Sequence, residues 1–297
     1  MAGAGIALAA CGGDEPTEQP TAGGATNSPV DGEQAVSGAL EAAGIEGPPV
    51  LTVLVATFEM LTGEGRRMQF ALLDEQGTPL LDEDVEAYLV RASDQVVATG
   101  PTTPTFYGGE LGDRGVYVFE SGLEEPGLYD LVVATPDKSR AGTAAVRVIR
   151  PEESALPLAG DPFPTVETPT NEDPKDLEEL CTRDPECGMH GTSLATALDN
   201  GSPVVLTIAT PKYCSSRICG PVVDVVLGVK EDLGRDDVVF IHAEVFTDAG
   251  NTPTEIVSEL QLPTEPWTFV INGDGSLADR FDGPVVPELL SAAVQQV

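Results

Sequence analysis

The sequence predicts a multidomain chain: an all-β sandwich followed by an α/β domain, both behind a disordered N-terminal tether. Three observations predict it. Between residues 48 and 150, short apolar runs alternate with turn-forming clusters. Beyond residue 200, strand-like runs alternate with helix-like ones, the pattern of a βαβ unit. Residues 12–47 hold Gly, Pro, Thr and acids, with no basic residue and no aromatic. Such a segment buries too little apolar surface to offset the entropy of ordering it.

Taken in order, the chain opens on 1–11, which end Leu8-Ala-Ala-Cys11. Small residues before a cysteine resemble a bacterial lipobox, in which the cysteine is lipidated. The basic start and long apolar core of a signal peptide are missing, and the first basic residue is Arg66. Residues 1–11 are therefore expected to be the partial end of a lipoprotein leader, with Cys11 the lipidated residue. Residues 12–47 form the expected acidic linker, self-repelling and extended, with at most a transient helical turn or two at 33–44. Lipidation implies an extracytoplasmic, membrane-anchored protein in an oxidising compartment, where disulfides persist.

Residues 48–150 are expected to be the sandwich. Candidate strands are 50–58, 67–73, 85–90, 115–119, 127–134 and 141–149. Turn signals at 74–79, 113–115 and 125–127 separate them. Pro126-Gly-Leu-Tyr129 resembles the tyrosine corner of immunoglobulin-like domains. The segment has no Cys and no His, and Met60 and Met68 without a histidine read as packing residues rather than copper ligands. A spacer or partner-binding role is expected of it.

Residues 151–297 form the expected α/β domain. Four of the five cysteines lie in it. An apolar run at 203–208 reads as a buried strand, and 221–233 as a helix. Cys214 and Cys219 lie on the turn between them. Cys219 falls at or near the helix start, where unpaired N–H groups and the dipole favour a thiolate. A thiol there has a depressed pKa and attacks disulfides. The remaining elements expected are a helix at 192–201, a strand at 238–245, a helix at 252–260, a strand at 267–271, a turn at 272–275 and a helix at 286–294.

Strand, C-x4-C-Gly-Pro and helix in that order, followed by Glu265-Pro266-Trp267, resemble the thioredoxin superfamily. The resemblance implies a thiol-disulfide oxidoreductase, with Pro266 a cis-proline facing the cysteines. It implies that Pro266 and Trp267 meet the substrate, although Trp267 equally suits the core. Cys219 is the candidate nucleophile and Cys214 its partner, and the reverse order stays open. The pattern departs from the family's usual pair, since Val222 stands at the second cysteine position. The buried acid of the family has no counterpart in the strand at 203–208. Alternatives are a binding protein in which Cys214–Cys219 is a permanent staple, or a copper carrier resembling Sco proteins, for which His242 is the sole histidine candidate in the core unit.

Cys181 and Cys187 are expected to close a small structural disulfide. With His190 they could ligate a metal, but a fourth nearby ligand is lacking, so no metal and no cofactor are expected. His242 reads as a structural histidine. The net charge of −34 excludes nucleic acid as a partner. Expected partners are disulfide-containing or dithiol proteins, and the membrane through the lipid.

Overall fold

The computed structural model describes residues 32–109, 114–250 and 252–297. Cys11, the expected leader, the first part of the expected linker and Asp113 lie outside these residues. No helix among the described residues is long and apolar enough to cross a membrane.

The described chain starts with a helix, α1 (Gly32–Ala42), where the sequence reading expects disordered linker. Ala39, Leu40, Ala43 and Ile45 are buried and pack on Tyr88, Val90, Val132, Ala134 and Ala141. Small alanines let the helix approach a sheet closely, which the composition of the segment conceals. The helix ends in a Schellman turn: the Gly44 N–H donates to the Glu41 carbonyl and the Ile45 N–H to that of Leu40. Gly44 takes a φ of 70°, which glycine adopts without steric cost. Lys138 Nζ donates to the Ala43 carbonyl, 2.8 Å away.

Nine strands follow: β1 (Thr52–Val55), β2 (Met60–Leu61), β3 (Gly63–Leu73), β4 (Glu86–Arg91), β5 (Val96–Thr102), β6 (Thr105–Gly108), β7 (Gly115–Leu123), β8 (Gly127–Ala134) and β9 (Ala141–Ile149). They make a sandwich of two sheets, β1-β3-β7-β6 and β2-β9-β8-β4-β5. The strands alternate in the manner of a two-faced sheet. Met68, Phe70, Leu72, Tyr117 and Phe119 of the first sheet meet Ala87, Leu89, Leu131, Val133 and Val146 of the second. The Tyr129 hydroxyl is buried and donates to the Glu125 carbonyl, 2.8 Å away. Strands β5 and β6 were not expected, because their Thr, Gly and Pro residues read as loop.

The second domain carries α2 (Leu194–Asp199), β10 (Val204–Ile208), α3 (Cys219–Leu233), β11 (Val239–Ala243), α4 (Glu255–Leu260), β12 (Trp267–Ile271), β13 (Leu277–Asp282) and α5 (Pro287–Val294). Its sheet runs β11-β10-β12-β13. Strands β10 and β11 are parallel, and β10/β12 and β12/β13 are antiparallel. This is a thioredoxin-type sheet. Both faces are covered, so β10 and β12 are buried throughout and read as continuous apolar runs. Helices α3 and α5 cover one face, over Val205 and Val270. Helices α2 and α4 cover the other, over Val204, Leu206, Ile208, Trp267 and Phe269. Each such side chain contributes about 1.5–3 kcal/mol through burial. Residues 163–193 form no helix or strand.

The two domains share a core. Val116 and Val118 of β7 point away from the sandwich interior and join the cluster of α3 and α5. Beside this contact, Arg280 reaches Glu59, and Arg67 pairs with Asp279. The Asp282 carboxylate accepts the backbone N–H groups of Phe58 and Glu59. Apolar packing thus crosses the expected boundary near residue 150 at β7, while the sandwich keeps its own core between its two sheets.

Candidate functional site

The loop that carries Cys214 runs from the end of β10 to the start of α3. The Cys214 N–H donates to the Thr210 carbonyl at 3.0 Å, and the Arg217 N–H returns to the Cys214 carbonyl at 3.3 Å. Arg217 adopts a left-handed φ of 60°. Ile218 is the N-cap and Cys219 the first residue of the helix. Pro221 is thus the third helical residue rather than the first; its missing N–H is still one of those without an intrahelical partner.

The two sulfurs differ in access and in charge. Cys219 is completely buried, whereas Cys214 keeps 9% of its surface exposed. Their ligand atoms and a Glu265 oxygen all lie within 4.8 Å of one another. The Cys214 thiol is pushed down to about 5, chiefly because Cys219 hydrogen-bonds to its sulfur. Ser216, 3.2 Å away, and the backbone N–H groups of Cys219 and Ile218 add to this, against the cost of burial. The Cys219 thiol is pushed up by that same bond and by burial. Burial, and then the nearby Cys214, push the Glu265 carboxyl up.

This asymmetry favours the order the sequence leaves open: Cys214, on the turn, is the more accessible sulfur and the one with the lowered pKa, and Cys219, at the helix start, is the buried one with the raised pKa. The helix N-terminus acts on Cys214 from a distance, through N–H groups that reach back to it. Glu265 was missed by sequence reasoning. It stands two residues before β12, beside both sulfurs, whereas the strand at 203–208 carries no acid, and its position just before Pro266 is the signal that could have found it. The Glu265–Pro266 peptide is cis.

Trp267 does not belong to this site. Its side chain is fully buried on the opposite face of the sheet, stacked on Phe269 with ring centroids 5.9 Å apart and set 6.0 Å from Phe58. Lys212 is drawn away by Glu179, 2.7 Å from its Nζ. An apolar groove opens beside the loop, lined by Leu54, Leu81, Ile218 and Pro221. The Arg114 side chain donates to the Ser216 carbonyl at 3.2 Å, so the sandwich touches the cysteine loop directly.

A second sulfur cluster lies on the same face of the sheet. Cys181 and Cys187 are not joined: their Sγ atoms are 3.7 Å apart. The expected disulfide is replaced by a convergence on two histidines. His190 Nε2 is 3.4 Å from Cys187 Sγ, and His242 Nδ1 is 3.4 Å from the same sulfur and 3.8 Å from Cys181 Sγ. His242 is therefore engaged away from Cys214 and Cys219, which removes the distal histidine of the copper-carrier alternative.

No protein-family model matches the chain, and no curated protein is similar to it. Among solved structures, a thiol:disulfide interchange protein of the thioredoxin family from Chlorobium tepidum TLS aligns with 47% of this chain and 97% of its own, at 13% identity and a TM-score of 0.32. The Lin-41 filamin domain aligns with 35% of this chain and 97% of its own, at 16% identity and a TM-score of 0.24. The PKD domain of the human receptor SorCS2 aligns with 50% of this chain and 98% of its own, at 16% identity and a TM-score of 0.19. The thioredoxin-type order of the second sheet stands on its own hydrogen-bonded ladders.

Proposed function

We propose that the chain is a thiol-disulfide exchange enzyme of thioredoxin type in which Cys214 attacks and Cys219 resolves. The observation that carries this reading is the asymmetry of the pair. The one sulfur that solvent reaches is the one held as thiolate, and the buried one is its proton-bearing partner. A permanent staple has no need of either property.

The reaction balances as follows. The Cys214 thiolate attacks a substrate disulfide, the substrate S–S bond breaks, and a mixed disulfide forms with release of a substrate thiolate. Cys219 then gives its proton to the Glu265 carboxylate and attacks Cys214 Sγ. The mixed disulfide breaks, the Cys214–Cys219 bond forms, and the second substrate sulfur leaves. Two electrons pass from the enzyme dithiol to the substrate, and an external dithiol reductant restores the pair. Run backwards, the same steps oxidise a substrate dithiol. An extended substrate segment pairs with the backbone before Pro266, and the groove at Leu54 and Ile218 receives its apolar side chains. In this reading the sandwich is immunoglobulin-like. Cys11 is lipidated and holds the enzyme on the extracytoplasmic face of a bacterial membrane, the support being the Leu8-Ala-Ala-Cys11 pattern.

The test is turnover of a disulfide peptide by the full chain under a dithiol reductant. Cys214→Ser is expected to abolish it, and Cys219→Ser to accumulate a mixed disulfide at Cys214. A reduction potential below about −300 mV with both thiols unreactive indicates a structural staple and ends the enzyme reading.

A further inference from the structure

We propose that Cys181, Cys187, His190 and His242 form a structural zinc site, distinct from the redox pair. All four residues are buried, between 0% and 5% exposed, and their ligand atoms all lie within 4.8 Å of one another.

The spacing fits a tetrahedron. A zinc–sulfur bond of about 2.3 Å gives a sulfur–sulfur edge of about 3.8 Å. The observed separation is 3.7 Å. Zinc–nitrogen bonds of about 2.0–2.1 Å give sulfur–nitrogen edges of about 3.6 Å. The observed ones are 3.4, 3.4 and 3.8 Å. A disulfide needs sulfurs about 2.05 Å apart and gives no reason for two buried imidazoles to converge on them.

The surroundings fit as well. His242 offers Nδ1 to the cluster while its Nε2 is 3.0 Å from the Ala209 carbonyl and 3.7 Å from a Glu244 oxygen. An imidazole whose far nitrogen is held by a carbonyl or carboxylate has its tautomer and orientation fixed for ligation. Backbone N–H groups of Cys187 and Met189 point at the sulfurs of Cys181 and Cys187, each at 3.5 Å, and stabilise thiolates. Four protein ligands with none exposed describe a closed site rather than a catalytic one.

The fold explains what such a site is for. Residues 163–193 contain no helix or strand, and so long a structureless stretch inside a compact domain needs something else to fix it. Three ligands lie on that stretch and the fourth on β11, so one ion fastens the loop to the sheet. It also fixes the wall of the redox loop: Thr182, next to Cys181, receives the Lys212 N–H at its hydroxyl and gives its own N–H to Glu244.

The experiment is elemental analysis of the full chain purified under reductant without chelator, followed by cobalt(II) exchange. One zinc per chain is expected, lost in Cys181→Ser and His242→Gln and retained in Cys214→Ser. Cobalt is expected to give the intense visible bands of a tetrahedral site and a thiolate charge-transfer band in the near ultraviolet. Cobalt uptake by the unaltered chain keeps the test independent of whether the variants fold. Zinc at background with no tetrahedral cobalt spectrum overturns the assignment. So does a Cys181–Cys187 disulfide in peptide maps of protein isolated without reductant, or a site that takes copper(I) but not zinc. None of these outcomes depends on activity at Cys214.

Discussion

If Cys214 is held as a thiolate by its neighbours, its reactivity persists at acid pH where other thiols are silent. The ordinary value of 9.0 falls to about 5, so the thiolate fraction drops away as pH falls through about 5 rather than through 9. At pH 7 nearly all of Cys214 is ionised, against about 1% of an ordinary thiol. Intrinsic nucleophilicity falls with pKa along a Brønsted slope of about 0.4–0.5, which takes back about 60-fold. The two effects nearly cancel at pH 7. At pH 5.5 the ionised fractions differ about 2,000-fold, leaving Cys214 about 40-fold ahead of an ordinary thiol. The assay is alkylation of the reduced chain by iodoacetamide from pH 4 to 9, read peptide by peptide, with a model thiol alongside. Cys219→Ala removes the largest stabilising contact and is expected to move the midpoint up towards 9.0. Serine is the wrong replacement here, because its hydroxyl still donates. A Cys214 midpoint between about 8 and 9 in the unaltered chain, or one unmoved by Cys219→Ala, refutes the account of this site.

Other consequences are as specific. Glu265→Gln leaves the attack by Cys214 intact but removes the proton acceptor for Cys219, so resolution of the mixed disulfide slows by about 10²-fold in quenched-flow trapping. Leu40→Ala opens a hole where α1 meets the sandwich and costs about 2–5 kcal/mol in urea unfolding. Arg280→Met leaves the mostly buried Glu59 carboxylate with the Ser154 hydroxyl in place of a cation and costs about 3 kcal/mol, read as a lowered Tm.

Much of the second domain was legible because both faces of its sheet are covered. Continuous apolar runs at β10 and β12 leave little choice of assignment, and a proline opening a strand opposite two cysteines fits few other folds. The order of the two cysteines was not legible. It depends on which sulfur the loop turns towards solvent, and the loop between Thr210 and Ile218 is set by its own hydrogen bonds rather than by a pattern. The zinc ligands were harder still. Cys181, Cys187 and His190 stand within ten residues of one another, but His242 reaches them only because β11 pairs in parallel with β10, placing it in register with Thr207. No sequence spacing carries that distance. Trp267 was left between site and core, and period two in a strand decides it, since neighbours fall on opposite faces: the cysteines pack with α3 and α5, and Trp267 packs with α2 and α4. Helix α1 was read as no more than a transient turn or two, since alanine and glycine look like linker until a sheet is found beneath them.

The order in which these layers stack has a mechanical meaning. Helix α1 lies on the outer face of the β4-β8-β9 sheet, while α3 and α5 lie against the outer face of the sheet that contains β7. The described chain therefore begins on one side of the sandwich and carries its cysteine loop beyond the other, with two sheets about 10 Å apart between them. It also crosses that thickness in one short run, since α1 ends at Ala42 and Leu54 of β1 already lines the groove beside Ile218. A displacement of α1 is thus coupled to the groove through the backbone that joins α1 to β1 as well as through the two sheets.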